Sequence, residues 1–214
     1  MTMSGSYDFE EQERIAEMKA WWEDNRWYVI GAFVVALVAF ASYRGWQYWS
    51  ARRDEDAAAM YKPVADAAKA KDAKRLSESA QALVAKYPRS YYASESALQL
   101  AKSAFEAGNL DEARKQLEWA MANGVDEHRG VARMRLAAVL MDQKKYDDAL
   151  KVLDANTDPA FAALAADLRG DVMLAQGRMD EARSAYKLAV DKAGTRNPVK
   201  GIAETKLTAL GGSQ

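Results

Sequence analysis

The 214-residue chain contains no cysteine, only four prolines and a single histidine. The absence of cysteine excludes disulfides, thiolate catalysis and cysteine-ligated metals, although it fits an oxidising compartment as well as a reducing one. Prolines and runs of β-branched residues are few, whereas Ala, Leu, Lys, Glu and Arg are frequent, and this composition favours helices. We therefore expect an all-α fold, because the composition argues against a β-rich one.

The chain also lacks an excess of charge of either sign. Thirty Lys and Arg stand against thirty-one Asp and Glu, and from Asp54 onward there are twenty-four of each. Nucleic-acid binding needs clustered cations that displace counterions from phosphates, so we expect no nucleic-acid partner. The sequence also lacks a phosphate loop, a dinucleotide fingerprint, a nucleophile elbow and a zinc-protease helix. We expect no enzyme activity, no cofactor, no metal site and no small-molecule substrate.

One apolar segment near the N-terminus has the length and the flanks of a membrane span. Residues 27–43, WYVIGAFVVALVAFASY, carry no charge. Their length of seventeen residues is at the lower limit for crossing a bilayer. Tyr28 and Tyr48 are twenty residues apart, which separates them by about 30 Å along a helix, the thickness of the hydrocarbon layer. Aromatic rings prefer the headgroup region. The residues predicted to lie at the two membrane interfaces are Trp27, Tyr28, Tyr43, Trp46, Tyr48 and Trp49.

Two other interpretations of the apolar segment remain open. A buried core helix of a soluble protein is equally apolar, although it would not collect aromatic residues at both ends. A cleaved signal peptide is the second, because residues 39–41 offer an A-x-A cleavage site, but the first 26 residues carry seven acids and three bases. The positive-inside rule does not decide the orientation, since three bases precede the segment closely and four follow it.

Past Arg53 the sequence repeats at a period of about 34 residues, the length of a tetratricopeptide helix-turn-helix unit. Segments starting at Gly108, Lys144 and Gly177 align without gaps. In each repeat a small residue marks a helix crossing, another small residue precedes it by twelve positions, and a large residue follows it by four. The three sets are Ala101, Ala113 and Leu117; Ala137, Ala149 and Leu153; and Gly170, Ala182 and Tyr186.

A weaker repeat and a closing helix are predicted at the two ends of this array. Residues 54–87 form the weaker unit, in which Ala80 takes the crossing position and Pro63 should kink or end the first helix near Lys62. A short helix should shield the last repeat from solvent. Its expected markers are Ile202, Lys206, Leu207 and Leu210.

Two sets of polar residues could suggest catalysis. His128 lies in the segment NGVDEHRG, which we assign to a solvated turn between repeats. Acid pairs recur at the starts of the second helices, where they are favourable to the helix dipole. These pairs are Asp111 with Glu112, Asp147 with Asp148, and Asp180 with Glu181. We therefore interpret both sets as structural.

The first helix of each tetratricopeptide unit lines the concave groove in which partners lie. Mapping by register gives a mainly apolar, methionine-containing surface that suits loosely specified protein segments. The candidate protein-binding residues are Leu98, Lys102, Phe105, Met134, Met141, Leu164, Asp167, Asp171 and Leu174. The alternative is that Leu98, Phe105 and Leu174 belong to the core.

The predicted regions follow one another along the chain in a simple order. They are an acidic tail (1–26), a transmembrane helix with aromatic belts (27–49), a linker helix with the degenerate repeat (50–90), and tetratricopeptide-like repeats with a capping helix (91–214). The fold class is therefore all-α, with a single N-terminal transmembrane helix followed by a helical-repeat solenoid.

Three strings carry a resemblance to a known family: GWQYW at 45–49, ADLRGD at 166–171 and ARSAY at 182–186. From about Phe9 to Leu210 the chain resembles the YfgM-type ancillary SecYEG translocon subunits of Gram-negative bacteria. The resemblance implies one pass through the inner membrane, with a cytoplasmic N-terminus and a periplasmic repeat domain. It also implies partners: the SecYEG translocon, the periplasmic chaperone PpiD, nascent translocated proteins and membrane lipid.

These observations together predict a membrane-anchored, chaperone-like scaffold for newly translocated periplasmic and envelope proteins. The alternative is a membrane-tethered scaffold that recruits one fixed partner in envelope or division complex assembly. Both interpretations place the function in a protein-binding surface.

Overall fold

The computed structural model describes the backbone of residues 5–211 and the side chains of residues 13–211, and all regular structure in that part is helical. Residues 1–4 of the predicted tail and residues 212–214 of the predicted repeat region lie outside the described residues. The described helices are α1 (Gly5–Ala70), α2 (Ala73–Lys86), α3 (Tyr91–Glu106), α4 (Leu110–Asn123), α5 (Asp126–Asp142), α6 (Tyr146–Asp154), α7 (Ala162–Ala175), α8 (Met179–Lys192) and α9 (Pro198–Ala209), with one 3-10 turn at Pro159–Phe161. The all-α prediction is confirmed.

The chain divides into two units, residues 1–52 and residues 53–214. Within the described residues, α1 is the one helix long and apolar enough to cross a membrane, and none of its apolar window is buried in the protein. Phe33, Val35 and Phe40 each remain more than 60% exposed (65%, 69% and 64%). A core helix would bury such side chains, so the core-helix interpretation of this segment is wrong.

The six predicted membrane-interface residues are all exposed on α1. Cations accompany the aromatic rings at both ends of the apolar run: the Arg26 guanidinium lies 5.8 Å from the ring centre of Trp27, and that of Arg52 lies 4.9 Å from the ring centre of Tyr48. An aromatic ring beside a cation suits the boundary between hydrocarbon and headgroups. The placement of these residues at the membrane surface stays a prediction.

In the second unit the helices pack in consecutive pairs, α3 with α4, α5 with α6, and α7 with α8. The part of α1 beyond Arg53 joins this array, because Val64 and Ala67 share a core cluster with Leu76 and Ala80 of α2. The structure therefore contains four helix pairs in its described residues, of which the first corresponds to the weaker repeat.

The turn inside each helix pair contains one residue in the left-handed region of backbone space. These residues are Lys71, Gly108, Lys144 and Gly177, with φ of 55°, 74°, 58° and 75°. Glycine adopts this conformation without steric cost, whereas a lysine Cβ crowds the neighbouring carbonyl. The recurrence at Lys71 shows that the weaker first pair has the same turn design as the clear repeats.

The crossing residues predicted from the repeat lie where the helices of a pair meet. Ala113, Ala149 and Ala182 are fully buried, and Ala101 and Ala137 are nearly so. Gly170 is also buried, and a Cβ there would overlap the ring of Tyr186. Close approach of two helices requires small side chains at the crossing. The prediction that these small residues mark the helix crossings is therefore confirmed.

Of the two effects predicted for Pro63, the helix end near Lys62 is wrong, and a kink there stays a prediction. The helix continues through Pro63 to Ala70. Proline deprives the carbonyl four residues earlier, on Ala59, of its partner, but Ala59 is exposed and water can bind that oxygen. Burial of Val64 and Ala67 against the next helices holds the segment that follows.

The closing helix is confirmed as α9, which packs against α7 and α8. Leu207 is 7% exposed and Ala203 is fully buried. Ile202, expected to mark the packed face, is instead 52% exposed. The buried apolar residue on the packed face is Ala203. Ile202 precedes it by one position and therefore points about 100° away around the helix.

Candidate protein-binding surface

The first helices α3, α5 and α7 carry all nine candidate groove residues, but at different depths. Leu98 and Met134 are 3% exposed and Asp167 is 5% exposed. Lys102 and Phe105 are exposed, whereas four others are half-buried. Those four are Met141, Leu164, Asp171 and Leu174. Leu98 and Met134 belong to the main core cluster, so a proposal for partner binding does not rest on them.

An apolar pocket of about 380 Å³ opens between α3 and α5 beside Phe105. Its walls come from Ala101 and Phe105 of α3 and from Ala138 and Val139 of α5, and Leu117 of α4 also lines it. Phe105 keeps 44% of its surface exposed, since it lies in the last turn of α3, which ends at Glu106. We call this cavity the Phe105 pocket.

Three charged side chains border the Phe105 pocket: Lys102, Glu106 and Arg135. The Lys102 ammonium lies 3.8 Å from the Glu106 carboxylate, and both side chains are more than half exposed (62% and 56%). Such an exposed pair contributes little to stability and is available to other partners. The pocket therefore combines an apolar interior with a charged rim, the usual composition of a binding site for a small group or a peptide side chain.

A second cavity of about 400 Å³ adjoins the first on the other side of α3. Lys102 and Glu106 line both cavities, and Lys71, Leu76, Gln99 and Ser103 add to the second. We call it the Lys71 pocket. The two pockets share Lys102 and Glu106 of the C-terminal half of α3, and we call them together the depression across α3.

Arg135 and Ala138 line the Phe105 pocket on α5, although neither was among the residues predicted from the register. The signal that could have found them is the repeat itself, because Ala138 stands 36 positions after Lys102, as Met141 stands 36 after Phe105. The same offset connects Gln99 with Arg135. The apolar positions of a first helix identify one wall of the groove, and the neighbouring repeat supplies the other.

Asp167 and Asp171 are held by α9 and do not face an open groove. The Lys206 ammonium donates to Asp167 Oδ2 at 2.8 Å and to Asp171 Oδ1 at 2.7 Å. Burial raises the pKa of Asp167, although its hydrogen bond and charge interaction with Lys206 oppose this. Burial lowers the pKa of Lys206, but the two carboxylates outweigh it and the net shift is upward. These charges attach the closing helix to α7.

Tyr186 completes this cluster in the last repeat. Its hydroxyl donates to Asp171 Oδ1 at 2.8 Å, and the Lys206 ammonium lies 5.4 Å from its ring centre. Burial raises the pKa of Tyr186, and Asp171 adds to the shift. The carboxylate of Asp171 therefore has two donors inside the protein and is occupied.

His128 lies in α5 and is 7% exposed, so its assignment to a solvated turn is wrong. Its Nδ1 lies 2.7 Å from Ser94 Oγ and its Nε2 lies 3.3 Å from Glu95 Oε2. The turn is shorter than expected because Asp126 and Glu127 form the first turn of α5, where acids are favourable to the helix dipole.

Ser94, His128 and Glu95 match the residue types of a hydrolase triad, but their geometry favours a structural role. Ser94 is completely buried, and its hydroxyl is also 2.9 Å from the carbonyl oxygen of Tyr91. A substrate cannot reach this oxygen. Tyr61 of α1 lies 3.5 Å from Glu95 Oε1, and burial followed by the charge of Glu95 raises the Tyr61 pKa to about 12. The cluster therefore connects α1, α3 and α5.

The acid pairs of the second helices occupy the first turns of α4, α6 and α8, as predicted. Within the side chains that the structure describes, no group of three or more His, Asp or Glu residues is placed to hold a metal ion. The depression across α3 is the candidate binding surface, because its Phe105 pocket is lined mainly by apolar side chains.

Comparison with known proteins gives one consistent result. The family model for a tetratricopeptide repeat-like domain matches residues 19–212. A protein of Neisseria gonorrhoeae is 29% identical over 203 residues, which cover 94% of this chain and 97% of the relative. A protein of Aggregatibacter actinomycetemcomitans is 30% identical, with 88% and 93% covered, and one of Escherichia coli is 31% identical, with 73% and 77% covered. Each of the three carries the name ancillary SecYEG translocon subunit.

Proposed function

The chain belongs to the family of ancillary SecYEG translocon subunits, and from that premise we propose that it is a single-pass inner membrane protein that assists chains leaving the translocon. In this proposal the repeat domain acts as a chaperone-like scaffold that binds newly translocated periplasmic and envelope proteins without chemical conversion. The periplasmic chaperone PpiD is a second proposed partner, on the basis of the family resemblance.

The Phe105 pocket is the observation that carries this proposal. It offers an apolar cavity of about 380 Å³ with an aromatic side chain 44% exposed at its edge. An unfolded polypeptide presents large apolar side chains in extended segments, and such a cavity can bury one of them. A partner with a folded, polar surface would gain little from it.

The apolar part of α1 supports the proposed location in the inner membrane. A single span confines the repeat domain to the membrane surface, where its effective concentration near an emerging chain is high. Weak contacts then suffice for capture, and a single pocket can serve many chains. We propose a cytoplasmic N-terminus and a periplasmic repeat domain, because the family resemblance implies that orientation and the balance of flanking bases leaves it open.

Photo-crosslinking from the pocket tests the proposed function. A photoreactive residue replaces Phe105 in the full-length protein, and membranes carry chains arrested during translocation. Leu188 on α8 is the matched control, since it is a large apolar residue with 45% of its surface exposed against 44% for Phe105. We expect arrested chains of unrelated sequence to crosslink to position 105 and not to position 188.

The same experiment distinguishes the other scaffold. One stoichiometric product at position 105, whatever chain is arrested, would favour recruitment of a fixed partner in envelope or division complex assembly. Equal labelling at positions 105 and 188 would overturn the role of the pocket, because general proximity to the translocon would then explain the products.

A further inference from the structure

The depression across α3 carries an excess of positive charge that the repeat domain as a whole does not have. Residues 54–214 hold equal numbers of acidic and basic residues. The two pockets, in contrast, are bordered by Lys71, Lys102 and Arg135 and by one acid, Glu106. A surplus of cations in a concave site attracts a segment of opposite charge and repels one of like charge.

The cations are also available for a partner. Glu106 lies 3.8 Å from Lys102, and both groups are exposed to water, where an ion pair is weak and readily exchanged. Arg135 is exposed at the edge of the Phe105 pocket, and among the described side chains no carboxylate lies within ion-pair distance of it. The Phe105 pocket is therefore bordered by Lys102, whose ion pair is weak, and by Arg135, which has no ion pair with a described carboxylate.

The arrangement of the two pockets fixes how a segment can lie in them. They open on opposite sides of α3 and share Lys102 and Glu106 between them. A helix is about 10 Å across and an extended chain advances about 3.3 Å per residue, so about three residues cross from one pocket to the other. A segment with an apolar side chain beside Phe105 thus brings a residue about three positions away to Lys71.

We propose that the depression selects extended polypeptide segments in which a large apolar side chain is flanked by acidic residues, one of them about three positions away. The apolar side chain fills the Phe105 pocket, and the flanking carboxylates lie near Arg135, Lys102 and Lys71. This specificity rests on the proposed function and names the class of segment that the scaffold prefers. It follows from the charge complementarity of the rim with an acidic segment.

Fluorescence anisotropy with the full-length protein in lipid nanodiscs tests the proposal. Three fluorescein-labelled peptides share one central phenylalanine and carry acidic, amide or basic residues at the same flanking positions. An exposed ion pair contributes up to about 1 kcal/mol, so we expect the acidic peptide to bind about fivefold more tightly than the basic one. The difference in affinity should shrink as the salt concentration rises to about 0.5 M, because the Debye length then falls to a few ångströms and the charges are screened.

Substitutions of the charged residues test whether they cause the preference for the acidic peptide. Arg135→Gln should reduce the preference for the acidic peptide over the basic one without removing it, because Lys71 and Lys102 remain at the rim. Arg135→Glu should abolish the preference between acidic and basic peptides, because Lys71 and Lys102 would then face two carboxylates, Glu106 and the new one. Lys187→Gln is the control, because Lys187 is an exposed cation of α8 that lines neither pocket, and it should leave all three affinities unchanged.

The outcomes separate this proposal from the one on which it rests. Equal affinity for the three peptides, or a preference that survives Arg135→Glu, would overturn the charge selectivity while leaving capture by the Phe105 pocket intact. Binding that is unaffected by Phe105→Asp would overturn it too, since the peptide would then lie elsewhere. A failure of all three peptides to bind, together with no crosslinks at position 105, would overturn both proposals.

Discussion

Gly170 of α7 faces the ring of Tyr186 of α8 so closely that a single added Cβ would overlap the ring. The two earlier repeats have an alanine and a leucine at the equivalent positions, Ala101 with Leu117 and Ala137 with Leu153. In the last repeat the two helices therefore still approach closely, because the larger side chain on one helix is compensated by the lack of a side chain on the other.

This size exchange predicts a compensating pair of substitutions. Gly170→Ala should destabilise the protein by about 2 kcal/mol, because overpacking in a close-packed core forces the ring or the backbone to move. Adding Tyr186→Leu recreates the pair found in the other repeats, and should recover part of the loss. Urea unfolding of the full chain in mild detergent measures the effect. A double variant as unstable as the sum of the two singles would contradict the compensation.

The left-handed turns predict a stabilising substitution at Lys144. Its φ of 58° is unfavourable for a residue with a Cβ, so Lys144→Gly should raise the free energy of unfolding by about 0.5–1 kcal/mol. Gly177→Ala is the reciprocal variant, since Gly177 has a φ of 75° and open space around it. It should lower the stability by a similar amount, and a change of the opposite sign in either variant would refute the turn assignment.

The ion pairs of the closing helix predict a pH-dependent effect of Lys206→Met. Removing the ammonium leaves Asp167 buried without its cation, which should cost about 2–4 kcal/mol near pH 8. Lys206 holds the pKa of Asp167 down against burial, so the variant raises that pKa further. The folded variant then binds a proton that the unfolded chain does not, and its stability rises as pH falls through the raised pKa toward the ordinary value.

Unfolding of wild type and variant between pH 8 and pH 5 checks this sign. The stability gap between them should narrow toward pH 5. Asp180→Asn is a control for an exposed carboxylate (its side chain is 91% exposed) and should show no such narrowing. A gap that widens on acidification would contradict a buried, cation-dependent Asp167.

The Phe105 pocket predicts that partner capture can be lost without loss of fold. Phe105→Asp should abolish capture of an unfolded client while leaving helicity and the unfolding midpoint within error, because Phe105 is 44% exposed. Leu188→Asp is the control with matched exposure. Met141→Asp should weaken capture and lower stability together, since Met141 is half-buried against the main core. Unfolding caused by Phe105→Asp alone would show that Phe105 is a core residue.

The repeat register was predictable from sequence because it depends on local sterics. Small residues such as Ala113 and Ala149 recur at the spacing of the helix crossings, and the structure buries both completely. The boundary between core and groove was not predictable. Leu98 and Phe105 lie seven residues apart on one face of α3, yet only Leu98 is buried, because the neighbouring helices cover the middle of α3 and leave its last turn open.

Features that join distant parts of the chain were also beyond the sequence pattern. His128 contacts Ser94 and Glu95, more than thirty residues earlier, and Lys206 binds an aspartate 39 residues earlier. No local periodicity indicates such pairs. The helix end expected at Pro63 was wrong for a related reason, because packing of Val64 and Ala67 against α2 and α3 outweighs the local preference of proline to end a helix.

The proposed topology places one apolar span in the inner membrane and the repeat domain on its periplasmic face. It is tested most directly by protease treatment of spheroplasts that carry the full-length protein with a reporter fused after Gln214, followed by alkaline extraction of the membranes. We expect external protease to remove the reporter while the N-terminal tail stays protected, and the undigested protein to stay in the membrane pellet. A reporter protected from external protease until the membrane is lysed, or an intact protein released into the alkaline supernatant, would contradict it.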